Sequence, residues 1–245
     1  MKRTFGLLAL FAMGSHAFAL NLTTVNPGYG SVTSFWEARG VAQPNNWKWQ
    51  LRKPGENPGT TTNPGGQQFW NATRYWRMNY VHATSAFTWS LFSDAARTQL
   101  LTSVARPNGN GSFNSTITPN AGQDFVGLQL NVKANDSTTT ALVSVFDITL
   151  NGIAVPTMAN ALTAKQGDAV TFQAGALHYF TSPVTDFVLE GTATMTWAGN
   201  LGSGSSDRVS FDLKGLQSNP VPEPGTLAAL GLGAAALIRR RRRAR

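Results

Sequence analysis

The sequence predicts an all-β fold: an antiparallel β-sandwich or jelly-roll-like body, set between an N-terminal signal peptide and a short C-terminal hydrophobic helix. Three observations lead there. Apolar and polar residues alternate along several short runs, the period of a half-buried strand. Turns rich in Gly, Asn, Ser and Asp separate the runs, for example at 108–111 and 202–207. The chain has no cysteine, which excludes a disulfide framework, thiolate metal ligands and a cysteine nucleophile, so a hydrophobic core must hold the body together.

Residues 1–19 show the three parts of a secretory signal peptide: Lys2 and Arg3, an apolar run over 5–13, and small residues Ala17 and Ala19. Ala17 and Ala19 suit an A-x-A cut by signal peptidase, placed after Ala19. The secreted β-rich body then occupies 20–219, enough chain to bury a substantial core as one domain or two small ones.

Early in the body, residues 36–89 hold six of the seven tryptophans: Trp36, Trp47, Trp49, Trp70, Trp76 and Trp89. Trp47 and Trp49 point the same way if they lie on a strand. Two readings stand side by side. The rings fill the core, or Trp47, Trp49, Trp70 and Trp76 present exposed faces on which sugar rings stack. Arg74 and Arg77 are placed to stack on Tyr75 or Trp76 under either reading. A Pro/Gly/Thr/Asn-rich stretch over 54–66 reads as an exposed loop.

One helix is expected. Ser93 is positioned to cap 94–105, with Asp94 at the positive end and Pro107 beyond the stop. The remaining body reads as strands. In 125–134, Leu128, Leu130 and Val132 alternate with Gln129, Asn131 and Lys133. Residues 141–150 form another strand, closed by the turn dipeptide Asn151-Gly152. A brief strand follows at 170–172. The run 187–197 alternates through Phe187, Leu189, Gly191, Ala193, Met195 and Trp197, as one strand or two joined at Gly191; 208–214 alternates through Val209, Phe211 and Leu213.

The end of the chain, 220–245, has a different character. Pro222, Glu223 and Pro224 precede an uncharged run of Leu, Ala and Gly over 225–238, and Arg239 to Arg243 follow it. The two prolines hold Glu223 in an extended segment, the form in which a processing enzyme grips its substrate. As a helix the apolar run rises about 21 Å, short of the ~30 Å hydrocarbon core, and the arginines can snorkel to the interface. The positive-inside rule keeps those arginines on the cytoplasmic side.

Dividing the chain this way changes the meaning of its charge. The whole chain carries +8. Between Leu20 and Pro224, however, twelve Lys and Arg face twelve Asp and Glu, so the net charge of that span is zero. The excess lies at the two ends, and no nucleic-acid partner is expected.

Residues that could carry catalysis are few. His82 and His178 lie in no metal-ligand spacing, no G-x-S-x-G elbow places a serine, and neither a metal nor a cofactor is expected. Glu190 is the one acid worth testing for glycoside hydrolysis, against the simpler role of a solvent-facing strand residue. Asp136 and Asp207 sit in polar loops that lack the ordered spacing of a calcium loop.

Pro222, Glu223 and Pro224, the apolar run 225–238 and the block Arg239 to Arg243, in that order, resemble the PEP-CTERM sorting signal. The resemblance covers about a tenth of the chain. It implies recognition by an exosortase, a membrane-embedded transpeptidase-like enzyme of Gram-negative bacteria, with transient membrane insertion of the tail and its removal. It also implies a cell-envelope or extracellular destination linked to exopolysaccharide and biofilm. The expectation is a non-enzymatic structural or adhesive matrix protein. Alternatives are a carbohydrate-binding module contacting extracellular polysaccharide, and a divergent glycan hydrolase.

Overall fold

The computed structural model describes residues 20–42, 47–56, 60–62, 70–107, 116–134, 140–155, 162–165, 173–201 and 209–218. The expected signal peptide with Ala17 and Ala19, the strand expected at 170–172, Asp136, Asp207 and the whole of 220–245 lie outside them.

Two antiparallel sheets face each other. The first contains, in spatial order, β1 (Leu22–Thr23), β12 (Gln173–Phe180), β8 (Phe125–Ala134), β14 (Val209–Ser218), β2 (Val32–Ala42), β3 (Trp47–Arg52) and β4 (Thr60–Thr62). The second contains β10 (Ile153–Ala154), β9 (Ala141–Leu150), β13 (Phe187–Trp197), β5 (Ala72–Val81), β6 (Ala86–Phe92) and β7 (Leu100–Arg106), with β11 (Leu162–Lys165) also paired to β9. Among the described residues no α-helix occurs, and no helix is long and apolar enough to cross a membrane. The expected β-sandwich is the observed fold.

Alternation decides which face is buried. Along β14, Val209, Phe211 and Leu213 point into the core, while Asp212 and Lys214 point outward. The 187–197 run is a single strand. At its middle the register shifts, so that Asp147 and Ile148 of β9 oppose Gly191 between the pairs Glu190↔Thr149 and Thr192↔Phe146. This is a β-bulge, and Asp147 takes the left-handed conformation there at φ 53°. The Asn151-Gly152 turn closes a two-residue hairpin with both residues at positive φ, 52° and 77°, as a type I′ turn requires.

The helix expected over 94–105 is corrected. Leu100–Arg106 is an edge strand, because Thr102, Val104 and Arg106 turn inward at period two. The polar signals that suggested a helix cap build a turn instead. The Asp94 carboxylate accepts the N–H groups of Thr98 at 3.1 Å and Gln99 at 2.7 Å. The 54–66 stretch is likewise not all loop, since Thr60–Thr62 pairs with β3.

The core has two aromatic lobes. At one end Phe211 touches Trp49, Trp70, Trp76 and Trp89, and Trp49 stacks on Trp89 at 4.3 Å and 4°. At the other end Phe125 gathers Phe35, Trp36, Tyr80, Phe180 and Phe187. Glycines in mid-strand make room for the largest rings. Gly215 lies opposite Trp36 and Gly191 opposite Trp76, each indole lying flat over its glycine where a Cβ would stand.

Candidate functional site

The tryptophans answer the first functional question. Trp47, Trp49, Trp70 and Trp76 are fully buried, as are Trp36 and Trp89. Trp47 and Trp49 do share one face of β3, but that face is the core. Trp70 lies edge-on to Trp47, and the Trp49 indole N–H donates to the Trp89 carbonyl at 2.8 Å. In this fold no ring of the four offers a face to a sugar. Their interdigitation does, without disulfides, the anchoring that disulfides supply in many secreted domains.

Glu190 sits on the outer face of the second sheet, beside the bulge. Arg77 holds its carboxylate at 2.6 Å and Arg97 approaches to 3.7 Å. Arg97 also donates to the carbonyls of Trp76 and Gly191, while its guanidinium lies 5.9 Å from the centre of the Tyr75 ring. Arg77 lies over Phe92, not over Trp76. A shallow cleft of about 330 Å³ opens here, lined by Tyr75, Arg97, Asp147, Thr149, Glu190 and Thr192. Two guanidiniums on one carboxylate make a cross-strand brace.

A larger cleft, about 470 Å³, lies at the end of the sandwich where β8 begins. Tyr29, His82, Asp124, Phe125, Ser182 and Val184 line it. The loops around it are pinned by hydrogen bonds. The His82 N–H donates to Asp186 Oδ1 at 2.7 Å, and the Tyr29 hydroxyl donates to the Phe180 carbonyl at 2.9 Å. The structure thus places His82 at this rim. His178 is elsewhere, buried on the core side of β12 opposite Leu128.

Two charged arrangements escaped the sequence reading. Arg106, fully buried at the end of β7, donates to both oxygens of Glu56 at 2.8 and 3.2 Å. Glu56 follows β3, so this fork ties the two sheets together along one edge. Burial raises the Glu56 pKa, but the hydrogen bonds from Arg106 and the Lys53 N–H, with the charges of Arg106 and Lys53, outweigh it and hold the carboxyl below its ordinary value. On the outer face of the first sheet, Glu37 pairs with Arg52 at 2.6 Å, with Arg39 at 3.6 Å and with Lys214 at 3.8 Å. Asp212 joins them through Lys214 and Asn131. Burial pushes the Asp212 carboxyl above its ordinary value despite the Asn131 hydrogen bond and the Lys214 charge. Neither arrangement was readable locally, because the partners lie up to 177 residues apart and meet only through strand register.

Among the described residues no group of three or more His, Asp or Glu is placed to hold a metal ion. Residues 220–243 match the family model of the PEP-CTERM protein-sorting motif, the stretch that holds Pro222, Glu223, Pro224, the apolar run and the arginines. The chain therefore carries a PEP-CTERM sorting signal, which implies secretion and processing by an exosortase. A comparison with curated proteins found no match.

Proposed function

We propose that this chain is a secreted, exosortase-processed structural protein of the cell envelope or extracellular matrix, associated with exopolysaccharide. The observation that carries the proposal is the PEP-CTERM match over 220–243, which begins two residues after the last core strand ends at Ser218. In this reading residues 225–238 insert in the membrane, the arginines stay on the cytoplasmic side, and the Pro222-Glu223-Pro224 segment is offered to the enzyme outside it. Signal peptidase removes the leader after Ala19. The nearly neutral β-body is the cargo.

Its role is structural or adhesive, not enzymatic. Glu190 supports this: its carboxylate is held by Arg77 and Arg97, an arrangement suited to bracing strands. The tryptophans support it too, since they serve the core. Replacing Glu223 by Ala tests the sorting half of the proposal. The variant is expected to accumulate as a full-length, membrane-bound species in the native host, and normal release or processing would overturn it. For the non-enzymatic half, purified body incubated with the host's matrix polysaccharide is expected to release no sugar.

A further inference from the structure

Covalent geometry excludes one end of the sandwich from the point where the tail enters the membrane. β14 ends at Ser218, whose N–H donates to the Asp124 carbonyl at 3.0 Å. The apolar run starts at Gly225, and the seven intervening steps span at most about 25 Å when fully extended. β14 itself, with its 10 residues, is about 33 Å long. The tail therefore cannot run back along the sandwich and enter the bilayer beside its far end. Nor can β14 peel away without a large cost, since it is laddered to β2 on one side and β8 on the other along nearly its whole length.

The end at Ser218 has a composition of its own. It is built from segments 24–31, 82–85, 116–124, 151–153 and 181–186, which converge because β2, β6, β8 and β13 begin there and β5, β7, β9, β12 and β14 finish there, with the 53–56 turn beside it through the Arg106–Glu56 fork. The five segments contain no Lys or Arg; their ionisable side chains are His82, Asp124 and Asp186. Three large apolar residues stand exposed at this end, Val25 at 71%, Ile153 at 66% and Val81 at 42%. Tyr29 lines the adjoining cleft, an amphipathic ring of the kind that suits the headgroup level.

We propose that this end is a membrane-contacting surface, and that the body rests on the lipid interface through Val25, Val81, Ile153 and the loops around Tyr29 while the tail is inserted. The inference rests on the reading of residues 225–238 as a membrane segment. With no Lys or Arg in those five segments, Arg106 fully buried against Glu56 and Lys53 alone flanking them in the 53–56 turn, the contact is chiefly an apolar one and not attraction to anionic lipid. The cationic attraction belongs to the arginines beyond the apolar run.

The absence of cysteine makes the test direct, because single cysteines can be introduced without background. Full-length chain carrying Val25→Cys or Ile153→Cys, labelled with a fluorophore, is bound to phosphatidylcholine/phosphatidylglycerol vesicles that contain a headgroup-nitroxide lipid. Ala198→Cys, exposed just past β13 at the opposite end, is the comparison. Val25→Cys and Ile153→Cys are expected to lose most of their fluorescence, and Ala198→Cys to keep its own. If the chain floats with the vesicles and Ala198→Cys is quenched as strongly as the other two, the orientation is overturned and the membrane reading stands. If the chain does not float with the vesicles, both are overturned.

Discussion

At the scale of single residues, the sandwich depends on glycines placed opposite tryptophans. Adding a methyl at Gly215 would drive a Cβ into the Trp36 indole, and at Gly191 into that of Trp76. Both rings are enclosed, so neither can step aside. Gly215→Ala and Gly191→Ala are each expected to destabilise the body by about 1–3 kcal/mol, as overpacking does, seen as a lower urea midpoint. Trp49→Ala removes a ring stacked at 4.3 Å on Trp89 and is expected to cost about 3–5 kcal/mol. A glycan-binding role for that ring would instead show as lost binding with an unchanged midpoint. The sequence showed the cluster of tryptophans but not their direction. Alternation puts Trp47 and Trp49 on one face, yet only the pairing of the sheets says that this face is the inner one.

At the scale of elements, strands were legible where alternation was clean. The runs 125–134 and 141–150 coincide with β8 and β9, and Asn151-Gly152 forms the turn its residue types require. The segment 94–105 misled because Ser93 and Asp94 are equally at home capping a helix or closing a turn, and the β-branched residues that follow decide for the strand. Long-range charge pairs were invisible for a different reason, since register and not spacing brings them together. Two of them make opposite predictions about pH. Glu56 has a lowered pKa in the fold, so its fork with Arg106 contributes stability above the ordinary carboxylate range and loses it as pH falls through the folded value. Asp212 has a raised pKa, so its burial is least costly below the ordinary range and costs stability as pH rises past it. Thermal melts between acid and neutral pH separate the two. Glu56→Gln is expected to lower the melting temperature most at neutral pH, where it removes the carboxylate that pairs with the buried Arg106 guanidinium. Asp212→Asn is expected to leave neutral-pH stability equal or higher, and to flatten its own part of the pH profile.

At the scale of the whole molecule, the chain separates into a nearly neutral sandwich and two ends that carry most of its charge. The basic residues outside the body are Lys2, Arg3 and the six arginines after Ile238, five of which lie within the sorting motif matched at 220–243. The sorting signal could be read in the sequence because its three parts are contiguous and need no tertiary contact to act. The role of the body could not, since the rings that suggested a ligand are spent on packing. The short distance from Ser218 to the motif links the two halves: Pro222 lies within about 14 Å of a folded edge, the reach of the four steps from Ser218. The intact mass of the mature protein, isolated from the native host's surface-exposed or released pool, tests the central claim most directly. The account predicts a mass that begins after Ala19 and lacks the residues beyond the Pro222-Glu223-Pro224 region. A mature chain in that pool still ending at Arg245 would contradict it.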